Sequence, residues 1–311
     1  MIRLLNELDA DLDKVKALRL RGRFSQGWKA SVGLARRARQ AGSPRVELSA
    51  LWEALDCGKV LSPERVVVLQ ALARRAGVLA RASADRRLIG EAAVRDGALL
   101  RVFGRNRKAL SVLRRAVALP AVKADRSLHA YALWNMGFAS RMEMDLKAAR
   151  RYFESSRRGF SLEKDRFAEA FACCGLAGVA RLSGDARKSL ALYAKAAVMF
   201  GESGDLYGRA YSNCGQGNAL RRLGRWREAL AYYRKARELY ARLGDRVNEG
   251  YVLWGMMVCL ERLGDPAWRR VLRRAAVIFK RSGDHRGRAL LDVWAKGSPA
   301  DTTARREAAI S

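Results

Sequence analysis

Arginine is the side chain with the most chemistry to offer in this sequence, and it returns at a fixed spacing. Arg101, Arg141, Arg181 and Arg221 stand 40 residues apart, with Glu261 at the next step. A guanidinium is planar, permanently charged and forked, so it grips a carboxylate or phosphate through two parallel hydrogen bonds. A bland reading stands beside this one. Arg141 and Arg181 have Asp145 and Asp185 four residues later, where a helix brings opposite charges together, whereas Arg101 and Arg221 have Arg105 and Arg225. Other reactive residue types are sparse. The two histidines, His129 and His285, and the five cysteines, Cys57, Cys173, Cys174, Cys214 and Cys259, show no metal-ligand spacing. Most of these cysteines fall on apolar stretches, where a reduced thiol packs as a small hydrophobe. Glycines such as Gly215 and Gly217 follow no strand and form no dinucleotide-binding loop. Neither paired catalytic carboxylates nor a nucleophile with its base stands out. The expectation is a protein that is not an enzyme and holds no cofactor and no metal.

The charge balance raises the question of a partner. Lysine and arginine number 61 against 31 acidic residues, a net charge of +30, and 48 of the 61 are arginine. Such a field attracts acidic protein, nucleic acid or anionic lipid. Arg and Ala share GC-rich codons, so base composition is a competing source of the excess. The N-terminal MIRLLNELDADLDK carries acids in its first turns and no apolar core, unlike a signal peptide. No run approaches the length of a membrane span, so the expected location is cytoplasmic.

The elements that must position these arginines are written in the same period. Asp85, Asp125, Asp165, Asp205, Asp245 and Asp284 recur at intervals of 40, 40, 40, 40 and 39. Gly104, Met144, Gly184, Gly224 and Gly264 form a second column; Gly97, Gly137, Ala177, Gly217 and Met257 a third; Ala76, Ala116, Ser156, Ala196, Ala236 and Ala275 a fourth. A shared period over so long a stretch marks a repeat array. Each unit reads as two helices. An Asp caps the first helix, A, by accepting from its free amides. A glycine in the left-handed conformation ends it, and a second helix, B, follows. In the unit from Asp205, helix A is LYGRAYSNCGQGNALRRL and helix B is RWREALAYYRKARELYARL. Small residues at Gly217 and Ala236 allow a close helix crossing, and Tyr233 and Tyr240 fill the space between neighbouring pairs.

GQGNALRRLGRWREALAYYRKA resembles a tetratricopeptide repeat, with small residues at Gly217, Ala229 and Ala236 and the turn at Gly224. The 40-residue unit resembles the longer variety seen in kinesin light chains and bacterial peptide-sensing regulators. Met144 for the turn glycine, Met257 for the packing glycine and Pro120 at the end of a B helix depart from the pattern. The resemblance implies an all-α fold, a right-handed α-solenoid of about seven antiparallel helix pairs stabilised by neighbour contacts. The expected organisation is degenerate repeats or a cap over 1–84, a regular array over 85–296 closed by a helix from Arg286 to Lys296, and a disordered tail over 297–311.

The resemblance also implies a concave groove lined by A helices. Its groove-facing columns map here onto Tyr131, Phe171, Tyr211 and Tyr251; onto Trp134, Cys174, Cys214 and Trp254; and onto the four arginines. Neighbouring arginines would then lie about 10 Å apart, the packing distance of helices. The family's peptide-clamping asparagine occurs once, as Asn135, with Gly175, Gly215 and Gly255 in register and Asn218 in another column. The implied function is a scaffold binding a partner protein or acidic peptide segment. The alternative is single-stranded RNA, held by arginine and ring stacking or by a basic stripe on the B helices: Arg74–Arg75, Arg114–Arg115, Lys195, Arg234–Lys235 and Arg273–Arg274. That stripe reads equally as a solvated face. Membrane attachment has only the charge in its favour.

Overall fold

The computed structural model describes residues 2–61, 66–282 and 284–295, so the expected tail lies outside the described residues. Among them are sixteen helices and no strand. They are α1 (Ile2–Leu20), α2 (Phe24–Gln40), α3 (Pro44–Leu61), α4 (Val66–Ala82), α5 (Arg86–Val102), α6 (Asn106–Ala118), α7 (Pro120–Ala124) and α8 (Arg126–Met142). Then follow α9 (Leu146–Leu162), α10 (Arg166–Leu182), α11 (Ala186–Glu202), α12 (Leu206–Arg222), α13 (Trp226–Leu243), α14 (Arg246–Arg262), α15 (Trp268–Ser282) and α16 (His285–Ala295). The fold class is the all-α helical-repeat solenoid. Helices α5, α8, α10, α12 and α14 begin at 86, 126, 166, 206 and 246, which reproduces the 40-residue step.

Local chemistry explains these boundaries. Asp85, Asp165, Asp205 and Asp245 cap the A helices, each carboxylate accepting an amide two or three residues on. Asp125 does the same for Leu128 at 2.9 Å. Each such cap stabilises its helix by about 1 kcal/mol. At the A-to-B turn Gly224 takes φ 73°, a left-handed conformation, and Met144 is forced into the same conformation at φ 62°. Pro120 does not break a B helix from within: α6 stops at Ala118 and the proline opens the short α7.

The chain forms two compact units, Met1–Asn135 and Met136–Ser311. In the first, Leu8 and Leu12 of α1, Leu34 and Ala38 of α2, Leu51 and Leu55 of α3, and Leu69 and Ala76 of α4 share one apolar core. In the second, rings from the B helices are seated on glycines of the A helices. Tyr233 of α13 is fully buried; a Cβ on Gly217 of α12 or Gly255 of α14 would approach its ring to 2.8 and 2.5 Å. Phe153 of α9 occupies the equivalent seat between Gly137 and Gly175, and Phe279 of α15 packs on Gly250 and Gly287. A ring of this size buries apolar surface worth several kcal/mol, which ties each pair to the next.

Candidate ligand-binding face

In the first unit the groove-mapped residues of α5 and α8 hold one another. Arg101 Nε donates to Asn135 Oδ1 at 2.9 Å, and Asn135 Nδ2 donates to the Tyr131 carbonyl at 2.9 Å. The Arg101 guanidinium lies 5.3 Å from the centre of the Trp134 ring, which stacks on Tyr131 at 6.0 Å. Asn135 has no exposed surface, so its amide is already committed within the protein.

The same unit contains an ionic network that the sequence reading did not single out. Asp56 of α3 accepts Lys59 Nζ at 2.6 Å and Arg95 at 3.0 Å, and Arg95 also reaches Glu91 at 3.0 Å and covers the Trp52 ring. Arg19 pairs with Glu53 at 2.6 Å. Burial pushes the Asp56 carboxyl up, but Lys59 and Arg95 outweigh it and hold it well below the usual carboxylate range. The i,i+3 and i,i+4 spacings of Asp56–Lys59 and Glu91–Arg95 were visible signals. The 39-residue step from Asp56 to Arg95, close to one repeat, was another.

In the second unit the arginines are not solvated. Arg141, Arg181 and Arg221 are 4%, 2% and 8% exposed. Asp145 and Asp185 lie past the helix ends, where they cap α9 and α11 by accepting from the amides of Ala148 and Lys188. Arg141 runs across to α10, where its guanidinium fills the space beside Gly178, so that a Cβ there would collide with Nη1. It stacks 4.7 Å from the Phe138 ring and hydrogen-bonds Tyr211, and its Nε is buried without a hydrogen-bond partner. Arg221 Nε donates to Tyr233 Oη at 3.3 Å, and that hydroxyl donates to Asn218 Oδ1 at 2.8 Å.

The electrostatics follow from this packing. Burial lowers the Arg181 pKa; Tyr193 opposes the shift, while Arg141, Arg222 and Arg221 add to it. Arg222, adjacent to the ladder position and missed by column mapping, has Nε and Nη2 closed off from solvent. Arginines of α8 and α12 therefore act on Arg181 of α10. Cys174 and Tyr193 share an apolar cluster with Tyr211 packed against it, within the electrostatic reach of Arg141. Burial drives the Cys174 thiol well up and the Cys214 thiol to about 11, so both stay protonated at neutral pH.

The ring columns are half core, half surface. Phe171 packs edge-on against Phe200 at 4.7 Å and Tyr251 against Phe279 at 5.1 Å, each remaining partly exposed. Trp254 is 6% exposed within a cluster with Met257, Val258 and Leu290. Gly175, Gly215 and Gly255, in register with Asn135, seat B-helix rings and have no room for a side chain. A cavity of about 530 Å³ lies elsewhere, bounded by α11, α12 and α13 and lined by Leu190, Ala194, Gln216, Leu220 and Tyr232, with none of the ladder arginines. On the B helices Arg114, Arg115, Lys195, Arg234, Lys235 and Arg273 are exposed, whereas Arg75 and Arg274 pair with the buried Glu47 and Glu249. Among the described residues no cluster of metal-ligating side chains occurs, and no helix is long and apolar enough to cross a membrane.

Solved structures share this fold. A Rap protein complexed with competence and sporulation factor is similar at a TM-score of 0.70 and 11% identity, covering 97% of this chain and 88% of that one. The apo form of RapI matches at 0.56 and 12% identity, covering 97% and 85%. BtubC (BKLC) from P. vanneervenii matches at 0.53 and 16% identity, covering 72% and 92%. No family model and no curated protein matches the chain. At such identities the likeness establishes the all-α helical-repeat architecture.

Proposed function

We propose that this protein is a non-catalytic scaffold of the 40-residue tetratricopeptide variety, working in the cytoplasm. It binds a partner protein or acidic peptide segment on the A-helix face of its second unit. Arg141, Arg181 and Arg221 supply the charge. Tyr211, Tyr251, Trp254 and Asn218 supply ring and amide contacts. In the first unit Arg101 and Asn135 orient the Tyr131–Trp134 stack, whose partly exposed rings form a smaller contact surface. The burial of several like-charged arginines on successive A helices carries this reading, because a solubilising charge belongs on the surface. The Rap protein solved with competence and sporulation factor supports it as a relative in fold seen with a bound factor.

The exposed B-helix stripe favours a second reading, nucleic-acid binding by phosphate attraction, which would weaken steeply with salt. One anisotropy experiment separates the two. At about 0.15 M salt, a fluorescent Glu-rich peptide should bind the full chain and lose about tenfold in affinity with Arg181→Met, the worth of one charge-assisted contact. Tight binding of single-stranded RNA that survives Arg181→Met and fails with Arg114→Glu and Arg234→Glu would replace the scaffold reading with the second.

A further inference from the structure

The cavity bounded by α11, α12 and α13 lies wholly within the second unit and shares no side chain with the arginine ladder. Its volume, about 530 Å³, is that of a small-ligand site. A small residue opens it: Ala194 stands where α9 has Glu154 and α13 has Arg234, each one 40-residue step away. Leu190, Leu220 and Leu223 make its walls apolar.

Gln216 of α12 lines the inner end and is 5% exposed. Met136, Leu176 and Met256 stand in register with it in the same unit, so the repeat packs an apolar side chain here and α12 alone presents a primary amide. That amide has no hydrogen-bond partner among the described residues. A buried amide left so costs about 1–3 kcal/mol, a penalty that methionine would avoid. The seats of Tyr193 on Gly215 and of Tyr233 on Gly217 fix the antiparallel register of the three helices. Gln216 is therefore level with Ala194 and Tyr232, about 10 Å along α11 from Arg187.

Charge is uneven at the outer end. Arg225 donates through Nε and Nη2 to both carboxylate oxygens of Glu228 at 2.6 Å, which satisfies that arginine. Arg187 is exposed and makes no ion pair among the described residues. The amino end of α13 has no side-chain cap, so its free amides add to the attraction for an anion.

We propose that this cavity is a second docking site, holding a short extended peptide segment of a partner protein. An apolar side chain of the segment fills the pocket, its backbone amide pairs with Gln216, and an acidic side chain two residues along reaches Arg187. A glutamine amide sets a donor beside an acceptor, the complement of a peptide group. An extended chain covers about 10 Å in three residues, which is the span from the buried amide to the uncommitted arginine. The site is independent of the A-helix reading, because it uses a different face and none of the ladder arginines.

The test is anisotropy titration of the full chain with a labelled peptide carrying leucine and glutamate two residues apart. Counterparts with lysine for the glutamate and serine for the leucine are run beside it. The parent peptide should bind at least about tenfold tighter than either counterpart. Ala194→Arg, which restores the bulk present at Arg234, should remove binding. Gln216→Met and Arg187→Glu should each weaken it about tenfold, and exposed Lys280→Met should leave it unchanged. Gln216→Met should not lower the urea midpoint, so a folding defect cannot account for its loss of binding. Binding that ignores both Ala194→Arg and Gln216→Met, equal binding of the lysine counterpart, or no binding at all overturns the proposal. Binding that is lost with Arg181→Met yet indifferent to Ala194→Arg puts the peptide on the A-helix face, which overturns the proposal and leaves the scaffold reading standing. N-acetyl-leucine, titrated in parallel, should bind far more weakly; a match to the peptide with the same variant dependence would make the cavity a small-molecule site and end the peptide assignment.

Discussion

Arg181→Met should make the protein modestly more stable. Arg181 is buried on α10, and its pKa is lowered first by that burial and then by Arg141, Arg222 and Arg221, against the pull of Tyr193. A cation whose folded pKa lies below its unfolded value weakens the folded state at every pH where it is protonated. For arginine that includes the whole neutral range, so the penalty is constant there and no titration near pH 7 reveals it. Methionine keeps the apolar stem and removes the charge. Replacing buried charge by apolar side chains of similar volume gains between nothing and about 4 kcal/mol. Lost hydrogen bonds take back about 1 kcal/mol each. The net expectation is a gain of about 1 kcal/mol by urea unfolding in chloride buffer, read with the m-value to check that the transition stays two-state. A loss of more than about 1 kcal/mol would show that the contacts Arg181 makes outweigh the cost of burying its charge, which refutes the reasoning.

Three further outcomes follow from single residues. Met144 holds φ 62° where the repeat elsewhere has glycine, so Met144→Gly should stabilise the chain by about 1 kcal/mol, measured by the urea midpoint. Asp56→Asn leaves Lys59 buried without its anion and Arg95 with Glu91 alone, and should destabilise by about 3 kcal/mol. Because the folded pKa of Asp56 is depressed, its contribution is present above its unfolded value of 3.8 and is lost as pH falls below it, so the acid limb of the wild-type stability profile should flatten in the variant. Cys57 and Cys214, raised to about 12 and 11, and Cys174, raised well above its ordinary value, stay protonated in the native state. An aromatic disulfide reagent at pH 8 should therefore label them only after denaturant is added; rapid native labelling of Cys174 would contradict its burial.

The fold was legible because its determinants are local and repeat. An Asp that caps, a glycine that turns and a small residue under a ring are each identifiable from residue type, and the 40-residue step repeats the same signals. Met144 shows the limit of matching types alone: the turn survives a non-glycine because the packing of α8 against α9 dictates it. The site was half legible. Column mapping found Arg141, Arg181 and Arg221 but weighed them as solvated or as partners of Asp145 and Asp185, because helical spacing does not reveal that a helix has ended between the two residues. It also treated Gly175, Gly215 and Gly255 as missing groove contacts, although their role is to admit Phe153, Tyr193 and Tyr233.

What spacing could not convey is the sign of the company each arginine keeps, and that decides function more than the count of +30 does. Arg95 and Arg181 both lie on A helices, and both are substantially shielded from water. Arg95 lies between Asp56 and Glu91, and its pKa is raised well above the ordinary arginine value because their attraction exceeds the cost of desolvation. Burial lowers the Arg181 pKa, with Arg141, Arg222 and Arg221 adding to the shift and Tyr193 opposing it. The same residue type is therefore strengthened as a cation by its surroundings in one unit and weakened by them in the other. Helix repetition brings the arginines into register; the neighbours packed around each one decide whether it serves as a tie between helices.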